Sequence, residues 1–423
     1  MTCGALGAAL LLGLVGCGPP PRPSVVVILV DTLRADHLGA YGYERPTSPV
    51  IDALARDSWV FERHVASAAQ TVPSTLTLML SLDPAEHGFF HEGDGHFTRH
   101  PPRYPDDLTF LAEAFAGAGY ATAGLVGNPF LKSRSGFGQG FDAFLYSGGR
   151  AEVLTQHALE WLEQVPRASP FFLYLHYFDV HWPYNPPEPY RTRFGAGRSG
   201  KLVYRNGPAP DVAPNDLDYT VAMYDAEIAY VDEQVGRLLA GLERLGRRGE
   251  TVVAVTSDHG EEFLDHGGLG HGTTVYGELV RVPLVLSAPQ LGAPGRVSAL
   301  SRHLDLAPTL LDLAGVPRPA SFRGRSLLEP AAVAYSEDGA WRGVYADGEK
   351  LVVNPPTELR QRFAVDDARD QRPLAGDPDR RLVDALAEYE SRRSARKRDG
   401  TPESGPAWSQ EELERLRALG YAR

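Results

Sequence analysis

Asp31, Asp258 and His259 are good ligands for a divalent cation, and each closes a short apolar run. Ser24 to Val30 reads Ser-Val-Val-Val-Ile-Leu-Val and ends in Asp31, while Thr251 to Val255 leads through Thr256 and Ser257 into Asp258-His259-Gly260. Both runs are β-branched and too short for a buried helix, which predicts strands buried on both faces, as in a parallel sheet. In open α/β sheets the functional crevice lies beyond the carboxyl ends of the strands, where these side chains would meet. Asp-His-Gly alone is equally compatible with a turn whose aspartate caps the next segment. A second strand with the same ending favours a shared site. Thr71 adds a hydroxyl. Pro73 suits a first helical turn, so Thr71 falls at or just before a helix N-terminus, where the dipole and free amides favour an oxyanion. A threonine there also makes an ordinary N-cap.

The elements that must position these groups follow an α/β grammar. Helices are expected at 49–57, 108–118, 152–164, 219–245 and 304–313, and strands at 24–30, 120–126, 170–177, 251–255 and 280–287. The aromatic run from Phe171 to Tyr177 reads as core. Residues 185–215, rich in Pro, Gly and Arg without a period, read as a surface excursion over the site. Between Ala331 and Val353 the pattern turns to short antiparallel runs around Asp347-Gly348, which marks a smaller C-terminal subdomain. A last helix opens on a capping box, Ser409 and Glu412, and is expected to dock back on the body. The division is a signal and spacer over 1–23, a catalytic domain over 24–320 and a subdomain over 321–423.

Composition sets bounds. A chain of 423 residues, 43% hydrophobic and 23% charged, can build a large core. The net charge of −12 and the lack of a basic, aromatic-laced face argue against a nucleic-acid partner. The one basic run, Arg392 to Arg398, reads as a solvated face. The two cysteines are Cys3 and Cys17, so the body of the chain has no disulfide and no thiol nucleophile. Residues 4–16 are apolar but too short to span a bilayer. They end in Leu14-Val15-Gly16-Cys17, which looks like a bacterial lipoprotein signal. This predicts a lipid anchor at Cys17, a membrane contact and a place in the cell envelope.

Taken together, the motifs resemble the sulfatase-like branch of the alkaline phosphatase superfamily, from about residue 24 to the C-terminus. The resemblance rests on Val-Asp31-Thr-Leu-Arg-Ala-Asp36, Thr71-Val-Pro-Ser74, Asp179-Val-His181-Trp-Pro-Tyr184 and Thr256-Ser-Asp258-His259-Gly. Gly-His271-Gly, Arg281-Val-Pro-Leu and the His303 to Gly315 segment extend it. It implies a three-layer α/β/α sandwich around a mixed, mostly parallel sheet, with a small C-terminal α+β subdomain. Two departures stand out. The nucleophile position, Cys or Ser in sulfatases that form formylglycine, is Thr71 here, and the arginine of that motif is Thr75. The paired aspartates of those sulfatases are Asp31-Thr32. A threonine cannot be converted to the aldehyde by that route.

The resemblance assigns Asp31, Thr71, Asp258 and His259 to one divalent cation, with Mn²⁺ or Zn²⁺ favoured and Ca²⁺ or Mg²⁺ possible. A threonine hydroxyl is a poor nucleophile until a cation lowers its pKa, and Thr71 would then attack to give a covalent intermediate. His181 and His271 would stabilise the charge that builds up, or protonate the leaving oxygen. The expected activity is hydrolysis of phosphate or sulfate esters on a small-molecule, glycan or lipid substrate. Phosphodiesters and phosphonates are favoured over sulfates because the nucleophile is threonine. A phosphoglycerol- or phosphoethanolamine-type transferase and a non-catalytic glycan-binding protein are the alternatives.

Overall fold

The computed structural model describes residues 22–90, 102–104, 106–346, 348–398, 404–419 and 421. The Cys17 anchor signal lies outside them. Eight strands build the main sheet: β1 (Ser24–Val30), β2 (Trp59–Val65), β3 (Ala121–Val126), β4 (Ala143–Tyr146), β5 (Phe171–Tyr177), β6 (Thr251–Thr256), β7 (Leu284–Ser287) and β8 (Gly295–Arg302). Their order is β8-β2-β7-β6-β1-β5-β3-β4. β1 lies between β5 and β6 and runs parallel to both, with Val30 opposite Tyr177 and Leu29 opposite Thr256. β7 is antiparallel to both of its neighbours, which makes the sheet mixed.

The helices that matter are α1 (Pro49–Arg56), α2 (Thr71–Leu80), α3 (Leu111–Gly117), α4 (Ala151–Gln164), α5 (Pro214–Arg244), α6 (Leu306–Leu313), α7 (Arg380–Arg398) and α8 (Gln410–Ala418). Side chains alternate across a strand, so β1 feeds two cores. Val25, Val27 and Leu29 pack with α2, α3 and α6, while Val26, Ile28 and Val30 pack with α1, α4 and α5. That is the three-layer α/β/α arrangement. Burial on both faces explains why these strands read as unbroken apolar runs.

A four-stranded antiparallel meander follows, formed by Val333–Asp338, Trp341–Ala346, Glu349–Asn354 and Leu359–Ala364. α7 covers it through Leu382, Ala385 and Tyr389. α8 leaves the meander and rejoins the main body, where Leu416 and Trp408 enter the core of α2 and α3. Among the described residues no helix is long and apolar enough to cross a membrane.

Several expectations are revised. The basic run at 392–398 is not simply a solvated face. Arg393 is buried and its Nε lies 2.9 Å from the buried Glu337, which needs a counter-charge, while Arg392 covers the Tyr335 and Tyr389 rings. The excursion at 185–215 contains a helix at Tyr190–Gly195, and the long helix starts at Pro214 rather than Tyr219 because proline fits its first turn. Residues 277–280 form a helical turn, so β7 begins only at Leu284.

Candidate active site

The chain turns sharply at the end of β1. The Asp31 amide donates to the Tyr177 carbonyl (2.9 Å), and Thr32 takes a left-handed conformation with φ of 56°. A β-branched residue held there is strained, and such strain concentrates at functional sites. Thr32 is fixed by Oγ1 donating to the Val180 carbonyl (2.9 Å) and by its amide donating to Asp258 Oδ1 (3.2 Å). The loops after β1, β5 and β6 are thus tied to one another.

Asp258 also accepts from the His259 amide at Oδ1 (2.9 Å). Gly260 lets this loop pass close to its neighbours, since a Cβ there would meet the Glu278 carbonyl at 1.9 Å. Asp31 Oδ2 accepts from Asn128 Nδ2 (2.8 Å) and faces His176 Nε2 (3.1 Å). The other oxygen of each carboxylate, Asp31 Oδ1 and Asp258 Oδ2, is buried without a hydrogen-bond partner. Asp31, Asp258 and His259 form a group in which one ligand atom from each lies within 4.8 Å of the others. His259 Nδ1 faces the Gly260 carbonyl at 2.9 Å, so it carries the proton and leaves the Nε2 lone pair towards the carboxylates.

The spacings suit a cation. Two atoms each about 2.1 Å from one ion at a tetrahedral angle sit roughly 3.4 Å apart. His259 Nε2 is 3.4 Å from Asp258 Oδ2, 3.4 Å from Thr71 Oγ1 and 4.0 Å from Asp31 Oδ1. The electrostatics point the same way. Burial would raise Asp31, yet its hydrogen bond to His176 and the charges of His181, His176 and His259 hold it well below the usual carboxylate range. Burial and the charge of Asp31 push Asp258 up. His259 is raised by both carboxylates against the opposing effect of burial. Without a cation, a proton in this cage is the substitute for positive charge.

Thr71 is the first residue of α2, and the cap position is Gln70. Its hydroxyl is not spent on capping. It points to His259 Nε2 and lies 3.4 Å from Asn128 Nδ2. Ser74, one turn on, donates to the Asp258 carbonyl (2.5 Å) and contacts His303 Nδ1 (3.0 Å), which locks the helix start to the metal loop.

His181 and His271 complete the centre. Their rings are 4.9 Å apart, and His271 is 4.5 Å from His259. His271 Nδ1 is held by Glu261 Oε1 (2.8 Å), whose Oε2 accepts from the Tyr184 hydroxyl (2.9 Å). Gly272 allows this loop its φ of 70° and its approach to Gln70, whose side chain a Cβ would overlap. Burial lowers His181 to about 4, against the opposite pull of Asp31. Asp31, Thr71, Asn128, His181, Asp258, His259 and His271 are all at most 2% exposed.

The fold therefore brings together all six side chains singled out in the sequence. Reading the sequence misses Asn128, Glu261, His176 and Tyr421, whose Oη lies 2.7 Å from His181 Nε2. Asn128 and Glu261 stand beside the motifs, but nothing in the sequence identifies their partners. His176 reads as core within an aromatic run. Arg34, Asp36 and His266 lie outside the centre: Arg34 is saturated by Asp36 and Asp265, and His266 by Glu278.

A model of the sulfatase family matches residues 23–316, well over half of the chain. The chain belongs to the sulfatase family. It is a hydrolase acting on ester bonds. The chain is 24% identical over 419 residues to the N-acetylglucosamine-6-O-sulfatase of Bacteroides thetaiotaomicron, covering 75% of this chain and 73% of that protein. It is 28% identical over 361 residues to the N-sulphoglucosamine sulphohydrolase of Homo sapiens, covering 76% and 68%. Among solved structures, the phosphonate monoester hydrolase of Agrobacterium radiobacter superposes with a TM-score of 0.70 at 21% identity, covering 89% of this sulfatase-family chain and 96% of that one. A structure with D-glucosamine-2-N,6-O-disulfate as its substrate gives a TM-score of 0.72 at 19% identity, covering 90% and 99%. At these identities the superpositions establish the fold.

Proposed function

We propose that this chain is a metal-dependent hydrolase of sulfate or phosphate-type esters that uses Thr71 as its nucleophile. The observation that carries the reading is the cage of two unpartnered carboxylate oxygens and His259 Nε2 beside the Thr71 hydroxyl. Asp31, Asp258, His259 and Thr71 would hold the ion, with Mn²⁺ or Zn²⁺ favoured by the imidazole and Ca²⁺ or Mg²⁺ as alternatives. Such a cation supplies positive charge that acidifies the threonine hydroxyl and offsets charge in the transition state. The chain's own groups do the rest. Asn128 orients Asp31 and Thr71. Glu261 orients His271, which with His181 stabilises the developing charge and meets the leaving oxygen.

The relatives weight the substrate towards sulfate esters, so sugar and aryl sulfates come first. Phosphonates and phosphodiesters are the second reading. One observation favours them: Thr71 cannot become an aldehyde and must act as a plain hydroxyl. The location goes with this proposal: the Cys17 signal would place the enzyme on a membrane of the cell envelope. The test is metal analysis of purified protein together with turnover of matched aryl sulfates, phosphonates and phosphodiesters. Turnover that tracks bound metal supports the reading. Full turnover after chelation overturns it.

A further inference from the structure

β5 is an unbroken run of buried, mostly aromatic side chains, yet His176 near its end does more than pack. Successive side chains alternate across a strand, so His176 shares a face with Phe172 and Tyr174, the face covered by α2, α3 and α6. Pairing sets His176 between Leu29 of β1 and Val126 of β3, and two residues further on those chains carry Asp31 and Asn128. The Gly127 amide donates to the His176 carbonyl (3.0 Å), which brings Asn128 to the same corner.

A ring wholly shielded from water must satisfy both nitrogens within the protein. His176 Nε2 lies 3.1 Å from Asp31 Oδ2, and Nδ1 lies 3.1 Å from the Tyr174 hydroxyl. A carboxylate only accepts, so Nε2 carries the proton, and Nδ1 takes the hydrogen of the phenol. Tyr174 and Asp31 are fully buried as well. Tyr174 thus donates to His176, and His176 donates to Asp31.

The two oxygens of Asp31 are treated unequally. Oδ2 meets two donors, His176 Nε2 and Asn128 Nδ2 at 2.8 Å, and a carboxylate oxygen has two lone pairs. Oδ1 has no hydrogen-bond partner among the described residues and stands 4.0 Å from His259 Nε2. Asp31 can therefore offer a cation one oxygen only. That matters to the choice of ion. Ca²⁺ collects about six to eight oxygens and often takes both from one carboxylate, whereas Zn²⁺ is content with about four ligands and binds imidazole well.

We propose that His176 is a positioning residue which, acting through Asp31, keeps that carboxylate a one-oxygen ligand and so sets the preference of the centre for Zn²⁺ over Ca²⁺. The inference rests on the metal reading above. Removing His176 frees one lone pair on Oδ2 and lets the carboxylate turn. A four-ligand ion loses a fixed ligand, while Ca²⁺ gains a second oxygen that offsets the loss of order.

The experiment titrates metal-free wild type, His176→Phe and His176→Gln with zinc chloride and with calcium chloride in a calorimeter. Phe keeps the ring and the packing; Gln restores an N–H donor where Nε2 stood. In His176→Phe the zinc affinity should fall about 10- to 100-fold and the calcium affinity should stay within about threefold, so the preference narrows at least about threefold. His176→Gln should recover zinc affinity to within about threefold of wild type. An equal loss for both ions, an unchanged preference, or a Gln variant no better than Phe would overturn the proposal. Should His176→Phe fail to fold, Tyr174→Phe, which only releases Nδ1, should narrow the preference by about twofold to threefold, and an unmoved preference there would overturn it too. A wild type that binds neither ion overturns the metal reading itself, and this inference with it; a wild type that binds zinc with a preference the variants do not move overturns this inference alone.

Discussion

Replacing Asp258 by Asn should move metal affinity and metal-free stability in opposite directions. The amide oxygen can keep the bonds that Oδ1 accepts, from the Thr32 and His259 amides at 3.2 and 2.9 Å and from the Ser257 hydroxyl at 3.5 Å. The change falls on Oδ2, which has no hydrogen-bond partner and faces the cage. There an anionic ligand becomes an N–H donor aimed at the cation position. Losing a charged ligand should weaken metal binding at least about a hundredfold, or about 2.7 kcal/mol. Without metal the same substitution removes a repulsion. Two charges at the 4.8 Å limit of the ligand group interact by about 3.5 kcal/mol at an effective dielectric constant near 20. The raised His259 offsets part of this, so a gain of roughly 1–2 kcal/mol is expected near pH 8. Calorimetric metal titration measures the first effect, and denaturant unfolding of the metal-free proteins measures the second. Unchanged metal affinity, or a metal-free variant less stable than wild type by more than about 1 kcal/mol, would refute this account of the cage.

Three further outcomes follow from other parts of the structure. Asn128→Ala removes the donor to Asp31 Oδ2 and should lower metal affinity about 10- to 100-fold, as read by metal titration; wild-type affinity would show that Asp31 needs no orienting partner. Burial would raise Glu412, but Lys132, Ser409 and Arg134 hold it down to about 2, below its ordinary 4.5. Its folded value is the lower one, so its contribution to α8 docking is present above about pH 4.5 and is lost as pH falls through about 2. Trp408 fluorescence should report this loss in wild type and a flatter acid response in Glu412→Gln. Cys17→Ser should move the protein from membrane to soluble fractions if Cys17 carries the lipid; a variant that still pellets with membranes, with residues 1–16 retained by intact mass, would remove the envelope assignment.

The parts of this molecule that were legible in the sequence are those whose cause is local. β1 and β6 announce themselves because burial on both faces forces continuous β-branched runs, and their endings show Asp31, Asp258 and His259. Thr71 is marked by Pro73 two residues later. What stayed hidden depends on topology. Asn128 follows β3, and only the sheet order places β3 beside β5, next to the loop of Asp31. His176 looks like one more ring of an apolar run until the register sets it opposite Leu29 and against Asp31. β8 is a half-exposed edge strand, Gly-Arg-Val-Ser-Ala-Leu-Ser-Arg, with no apolar alternation strong enough to mark it. Arg393 reads as solvated because the buried Glu337 that holds it lies on another element.

The central claim is that the Thr71 hydroxyl forms the bond to the substrate. Peptide mass spectrometry after quenching turnover of a slow aryl ester tests it most directly. The account predicts a sulfuryl- or phosphoryl-sized mass addition on Thr71, with Thr71→Ala inactive yet folded and still able to bind metal. The addition on Ser74 instead, or full turnover by Thr71→Ala, would contradict it.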